Sequence, residues 1–251
     1  MLIKYIFNKG NMMEVIGIIG GVGPMATAQF YTHLCEKVAH HTEGQIPELI
    51  IYNLPTTVDE LALCIGSKLA YVQEKISTLL YKALTYFKKL GIKIVVMPCN
   101  TLQILLQPLC DQLGIININV VKETVKQITT QKFSAPLIVA TASTYKYSHY
   151  LTFLEQQKIK GIYLTGTPQL LIEQYIIDVV KQPHIDHEIR LKSILQEALH
   201  HEQADCIVLA CTDLILNNHS LNVPIINSVH VVLETTAQLI YTENNIKVIF
   251  E

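Results

Sequence analysis

Two cysteines stand in settings that suit acid–base chemistry. Cys99 lies in Met97-Pro98-Cys99-Asn100-Thr101, and Cys211 lies in Leu209-Ala210-Cys211-Thr212-Asp213. Each closes a short β-rich apolar run, which puts it at the C-terminal edge of a parallel strand, where open α/β sheets carry their active sites. A helical pattern follows, so the thiol is expected near a helix N-terminus, where the dipole and free N–H groups favour thiolate. Asn100, Thr101 and Thr212 add groups able to hold a carboxylate. One such cysteine reads equally well as an inert buried thiol. Two at equivalent points of an apparent duplication point to a thiol on each side of one cleft. That arrangement takes a proton from one face of a carbon and returns one to the other. Cys35, Cys64, Cys110 and Cys206 lack the setting and read as structural.

A second group surrounds the first strand. Gly20-Gly21-Val22-Gly23-Pro24 opens a helix, and its backbone N–H groups suit a small anion such as a carboxylate. It is not G-x-G-x-x-G, and Asn53 ends the second strand where a dinucleotide site needs an acid, so a nucleotide is poorly supported. Gly21, Val22, Gly23 and Asn53 are therefore assigned to substrate, with Thr141, Ser143 and Thr144 in the matching place of the second half. The histidine pairs 40–41, 184/187 and 200–201 have no carboxylate or thiol at ligand spacing and read as surface residues, so no metal is expected. No lysine sits in a recognisable pyridoxal-phosphate context, and no cofactor is expected.

The elements that must position these groups alternate along the chain. Strands are predicted at Val15–Ile19, Leu49–Tyr52, Ile94–Met97, Ile115–Ile118, Leu137–Ala140, Gly161–Leu164, Cys206–Ala210 and Pro224–Ile226. They are continuously apolar, as strands covered on both faces are. Apolar residues from Leu69 to Leu90 recur at helical steps until Gly91, predicting one helix, and Ile189–Leu199 predicts another. The alternation implies an α/β fold of two pseudo-symmetric parallel-sheet, flavodoxin-like domains with the site in the cleft between them. Residues 13–118 with 224–251 are expected to form the first domain and 119–223 the second, with 126–136 as the crossover. Residues 1–12 read as an extension and not as a signal peptide.

Composition agrees. The 251 residues are 50% apolar and 16% charged, enough apolar side chain for a sizeable core. A formal charge of −2 gives no basic excess for a phosphate backbone, so no nucleic-acid partner is expected. No apolar run is long enough to span a membrane. Six scattered cysteines without a secretory segment read as free thiols in the cytoplasm.

Taken in order and spacing, GIIGGVGPMAT (17–27), MPCNT (97–101), ATAST (140–144) and ACTDL (210–214) resemble the cofactor-independent aspartate/glutamate racemases, above all the aspartate racemase branch, over residues 14–240. The resemblance implies a homodimer, with Cys99 and Cys211 as acid/base thiols. It further implies Asn100 and Thr101 on the substrate carboxylate, Thr141, Ser143 and Thr144 opposite, and Lys181 near the substrate. Three positions depart from that pattern. Glu60 stands where aspartate-specific members carry an arginine, Gln103 replaces a histidine, and Asn227 replaces an aspartate. A Glu60 carboxylate in the cleft would repel an acidic side chain. The reading is a racemase of amino acids working without pyridoxal phosphate. The alternatives are a broad-specificity racemase for neutral or basic amino acids, a maleate isomerase or hydantoin racemase, and a non-catalytic amino-acid-binding protein.

Overall fold

The computed structural model describes residues 15–241, apart from 148, 183, 184, 186 and 217–220. The extension at 1–12 and residues 242–251 lie outside them. Strands β1 (Ile16–Gly20), β2 (Leu49–Asn53), β3 (Ile94–Val96) and β4 (Ile116–Ile118) form one parallel sheet in the order β2-β1-β3-β4. Strands β5 (Pro136–Ala140), β6 (Ile162–Tyr163), β7 (Cys206–Ala210) and β8 (Ile225–Asn227) form a second parallel sheet in the order β6-β5-β7-β8. The order repeats with an offset of four strands, which is the duplication seen in the sequence. In each sheet the chain leaves the first strand to one side and then to the other. The loops after β1 and β3, and after β5 and β7, thus meet at a topological switch point.

The helices are α1 (Pro24–His41), α2 (Val58–Ile65), α3 (Gln73–Lys89), α4 (Gln103–Leu113), α5 (Val120–Thr130), α6 (Ala142–Lys146), α7 (His149–Gln156), α8 (Gly166–Lys181), α9 (Glu188–His201) and α10 (Ser228–Tyr241). Their caps follow from sequence. Thr57 accepts from the Glu60 N–H while the Glu60 carboxylate accepts from the Thr57 N–H, a complete capping box at the start of α2. Asn119 caps α5 and Thr141 caps α6. The predicted single helix from Leu69 divides: Leu69–Tyr71 is a 3-10 turn, and α3 starts only at Gln73 because Val72 has a non-helical backbone. Leu69, Val72 and Ile76 stay buried on one face across the break.

Three apolar clusters order the layers. One lies between α3/α4 and the outer face of the first sheet, through Ile76, Leu80, Leu84, Phe87 and Val95. Another lies between α8/α9 and the second sheet, through Ile172, Ile176, Leu195, Val139 and Leu209. The third joins the halves, packing Phe30 and Leu34 of α1, Val125 of α5, Tyr150 of α7 and Val232 and Ala237 of α10 between the inner faces of both sheets. The expected assignment of 224–251 to the first domain needs correction at its strand. Strand β8 pairs with β7, Ile207 opposite Ile225, and caps the second sheet as β4 caps the first. Helix α10 lies against α1 and α5.

Candidate active site

The loop ends of the two sheets meet in one small buried cavity. It is lined by Val22 and Gly23 after β1, Cys99, Asn100 and Thr101 after β3, Thr141 after β5, and Cys211, Thr212 and Asp213 after β7. Leu61, Cys64 and Ile65 of α2, with Val180 of α8, complete the wall. Cys99 is 7% exposed and Cys211 8%. The free space between these groups is about 30 Å³, and Val22, Val180, Thr212 and Asp213 are partly exposed at its margin. A larger open groove of about 280 Å³ between α5 and α10 contains neither thiol and is lined mainly by polar side chains.

Hydrogen bonds tie the halves together behind the cavity. Tyr150 Oη donates to Asn100 Oδ1 at 2.7 Å, Asn100 Nδ2 donates to Ser228 Oγ at 2.9 Å, and Ser228 Oγ donates to the Leu209 carbonyl at 2.8 Å. Thr101, Thr141 and Thr144 form a triangle of hydroxyls, with Oγ1 separations of 2.9, 3.2 and 2.9 Å. Every member of both groups is buried, where hydrogen bonds are strong and unpaired polar atoms costly. Asn100, expected on a substrate carboxylate, thus serves as a strut between strand ends of the two sheets. Gln103 is buried as well. Its Nε2 donates to the Met97 and Cys99 carbonyls, each at 3.1 Å, and its Oε1 accepts from Asn117 Nδ2 at 2.9 Å.

Electrostatics differ from the sequence expectation. The N–H groups of Thr101 and Leu102 do favour the Cys99 thiolate, but burial outweighs them and pushes the thiol up to about 11. Burial also raises Cys211 far above an ordinary thiol, and the Asp213 carboxylate raises it further. The setting of Cys211 is only half that of Cys99. Helix α4 begins four residues after Cys99, whereas a turn at Thr212–Asp213 follows Cys211, with no helix through residue 216. Asp213 is the group that sequence reasoning passed over. Its Oδ2 lies 3.9 Å from Cys211 Sγ, and burial lifts its carboxyl to about 6. An acid directly after the Cys-Thr pair was the available signal. Its burial was not.

Other expected residues fall outside the cavity wall. Gly21 has φ +93°, and a Cβ there would meet the Leu54 carbonyl oxygen at 2.4 Å, so this glycine serves close packing. Asn53 is exposed at the end of β2. Ser143 is fully buried with no partner for its hydroxyl among the described residues, and Thr144 bonds to Thr101 and Thr141 without lining the space. Lys181 is exposed, one residue beyond the lining Val180. Glu60 does not line the cavity: its carboxylate closes the capping box and pairs with Lys75. Asn227 caps α10 through Val229 N–H at 2.9 Å. Cys64, read as structural, is a third thiol on the cavity wall. Among the described residues no group of three or more histidines, cysteines or acids is placed to hold a metal, and no helix is long and apolar enough to cross a membrane.

The Asp/Glu/Hydantoin racemase family model matches residues 19–236, which take in both thiol loops and every strand except the first three residues of β1. The chain belongs to this family. Among its relatives is the broad-specificity amino-acid racemase RacX of Bacillus subtilis, 25% identical over 221 residues, covering 85% of this chain and 92% of RacX. Two solved structures share the fold. Picrophilus torridus aspartate racemase matches with a TM-score of 0.66 at 20% identity, covering 89% of this chain and 94% of that one. An aspartate racemase homologue from Pyrococcus horikoshii OT3 matches with a TM-score of 0.71 at 16% identity, covering 91% and 99%.

Proposed function

We propose that this racemase-family chain interconverts L- and D-amino acids by two-thiol acid–base chemistry. The observation that carries the reading is the convergence of Cys99 and Cys211, from equivalent strand ends of two like-ordered sheets, on one buried cavity. One cysteine, as thiolate, takes the Cα proton. The other, as thiol, gives a proton to the opposite face, and the roles exchange for the other enantiomer. The raised thiols suit this task. A thiolate formed against burial is a strong base, and a Cα–H bond is a weak acid. The substrate ammonium supplies the positive charge that helps it form. Negative charge developing at the α-carboxylate meets the Gly23 backbone and the hydroxyl of Thr212. Asp213, beside Cys211, exchanges a proton with it between turnovers.

The same reading includes a homodimer in the cytoplasm. Family resemblance supports the former, and six free cysteines suit the reducing compartment. The test is enantiomer formation followed by chiral chromatography, with Cα exchange in deuterium oxide. Cys99→Ser and Cys211→Ser should each abolish racemisation, because a serine hydroxyl is far too weak an acid to replace the thiol. Each single variant should retain exchange of one enantiomer only. Full racemisation by either variant refutes the mechanism.

A further inference from the structure

The cavity wall divides by chemistry. Beside the two thiols, its polar part comes from the strand-end loops: Gly23, Asn100, Thr101, Thr141, Thr212 and Asp213. Its apolar part comes mainly from α2 and α8, through Leu61, Cys64, Ile65 and Val180, with Val22 added by the loop after β1. Residues 61, 64 and 65 fall at helical spacing on one face of α2, which bridges to α8 and α6 of the other half. Leu61 is 5% exposed and lines the cavity, while its neighbours Cys64 and Ile65 also pack into the clusters of the first and second halves respectively.

Tetrahedral geometry then places the substrate, granted the two-thiol reading above. The Cα–H bond lies along the line between the thiols. The other three substituents spread around that line. Carboxylate and ammonium take the polar loops, with Asp213 opposite the ammonium. The side chain is left with the roof of α2 and α8. We infer that this roof is the side-chain site, and that it selects small neutral side chains over acidic ones. A side-chain carboxylate there would lie desolvated against Leu61 and Ile65 and near the Asp213 carboxylate, both unfavourable. Glu60, at the position where a cation was expected, is held by Thr57 and Lys75.

The experiment uses the full chain with L-alanine, L-leucine and L-aspartate, reading both enantiomer formation and Cα deuteration. Alanine should exceed aspartate in kcat/KM by about 10-fold or more. Leu61→Arg should move that ratio toward aspartate by a similar factor, and Leu61→Ala, a milder change, should raise leucine relative to alanine several-fold. An aspartate preference in the wild type, or Leu61→Ala leaving the leucine-to-alanine ratio unchanged, overturns the roof assignment while the racemase reading stands. Absence of exchange with every amino acid overturns both.

Discussion

Asp213→Asn separates the chemical role of this carboxyl from its cost to the fold. The unfolded carboxyl titrates near 3.8, and partial burial in the folded chain raises it to about 6. Below about pH 4 both states hold the proton, and the group adds no difference between them. As pH rises from there, the unfolded chain ionises first. The folded state therefore loses stability until pH passes about 6, and the full loss is about 3 kcal/mol. Asparagine fills nearly the same volume and never ionises. The variant should thus be more stable than wild type by about 3 kcal/mol at pH 8, with the gain fading toward zero near pH 4. For a chain of this size that is a rise in melting temperature of roughly 6–12 °C at pH 8. Racemisation should fall by about 100-fold or more, because Cys211 loses its proton partner. Urea titrations at the two pH values, with a chiral assay on the same samples, measure both. A stability offset that is equal at pH 4 and pH 8, or a loss at pH 8, would refute the argument.

Three further outcomes follow from the geometry. Alkylation of Cys99 by iodoacetamide should rise about tenfold per pH unit from pH 7 without levelling below pH 10, given a thiol near 11; a plateau near pH 8 would contradict its burial. Gln103→Glu should set a carboxylate oxygen against the Met97 and Cys99 carbonyls, lowering kcat at least about tenfold while KM changes little, and Gln103→His should recover part of it; a purely structural role would lower stability without that split. Gly21→Ala should cost about 2–4 kcal/mol in denaturant titration, since its Cβ would strike the Leu54 backbone at a positive φ.

Much of the fold was legible because the central strands β1, β3, β5 and β7 are buried at every residue. Cys206–Ala210 is buried at every residue, so an uninterrupted apolar run marked its ends without ambiguity. The two thiol loops were legible because a strand end fixes where its next residues must go. What failed involved choices made in three dimensions. Strand β8 could have extended either sheet, and the free edge of β7 decided it. The helix dipole behind Cys99 was visible in sequence, but its competition with desolvation depends on what covers the thiol. Glu60 illustrates a signal that was present and unread: Thr57-x-x-Glu60 is a capping-box spacing, and that local bond decides between the cleft and the surface, which the sequence had left open. Leu61, Cys64 and Ile65 carried no chemical signal. Only the fold brings α2 over the thiols.

The Tyr150–Asn100–Ser228 chain and the threonine triangle have a consequence for how such a protein can change. They fasten the two sheets to each other just behind the acid–base pair, so the halves cannot part there without stranding buried polar atoms. Helix α2 forms a separate part of the pocket wall. Spacing between the thiols is thereby insulated from changes there. Under the two-thiol proposal, a lineage, or a protein engineer, can change the pocket-facing Leu61 to accept a new side chain while the strand-end struts that set the thiols are inherited unchanged. Reaction and substrate range become separately heritable traits of one small domain pair.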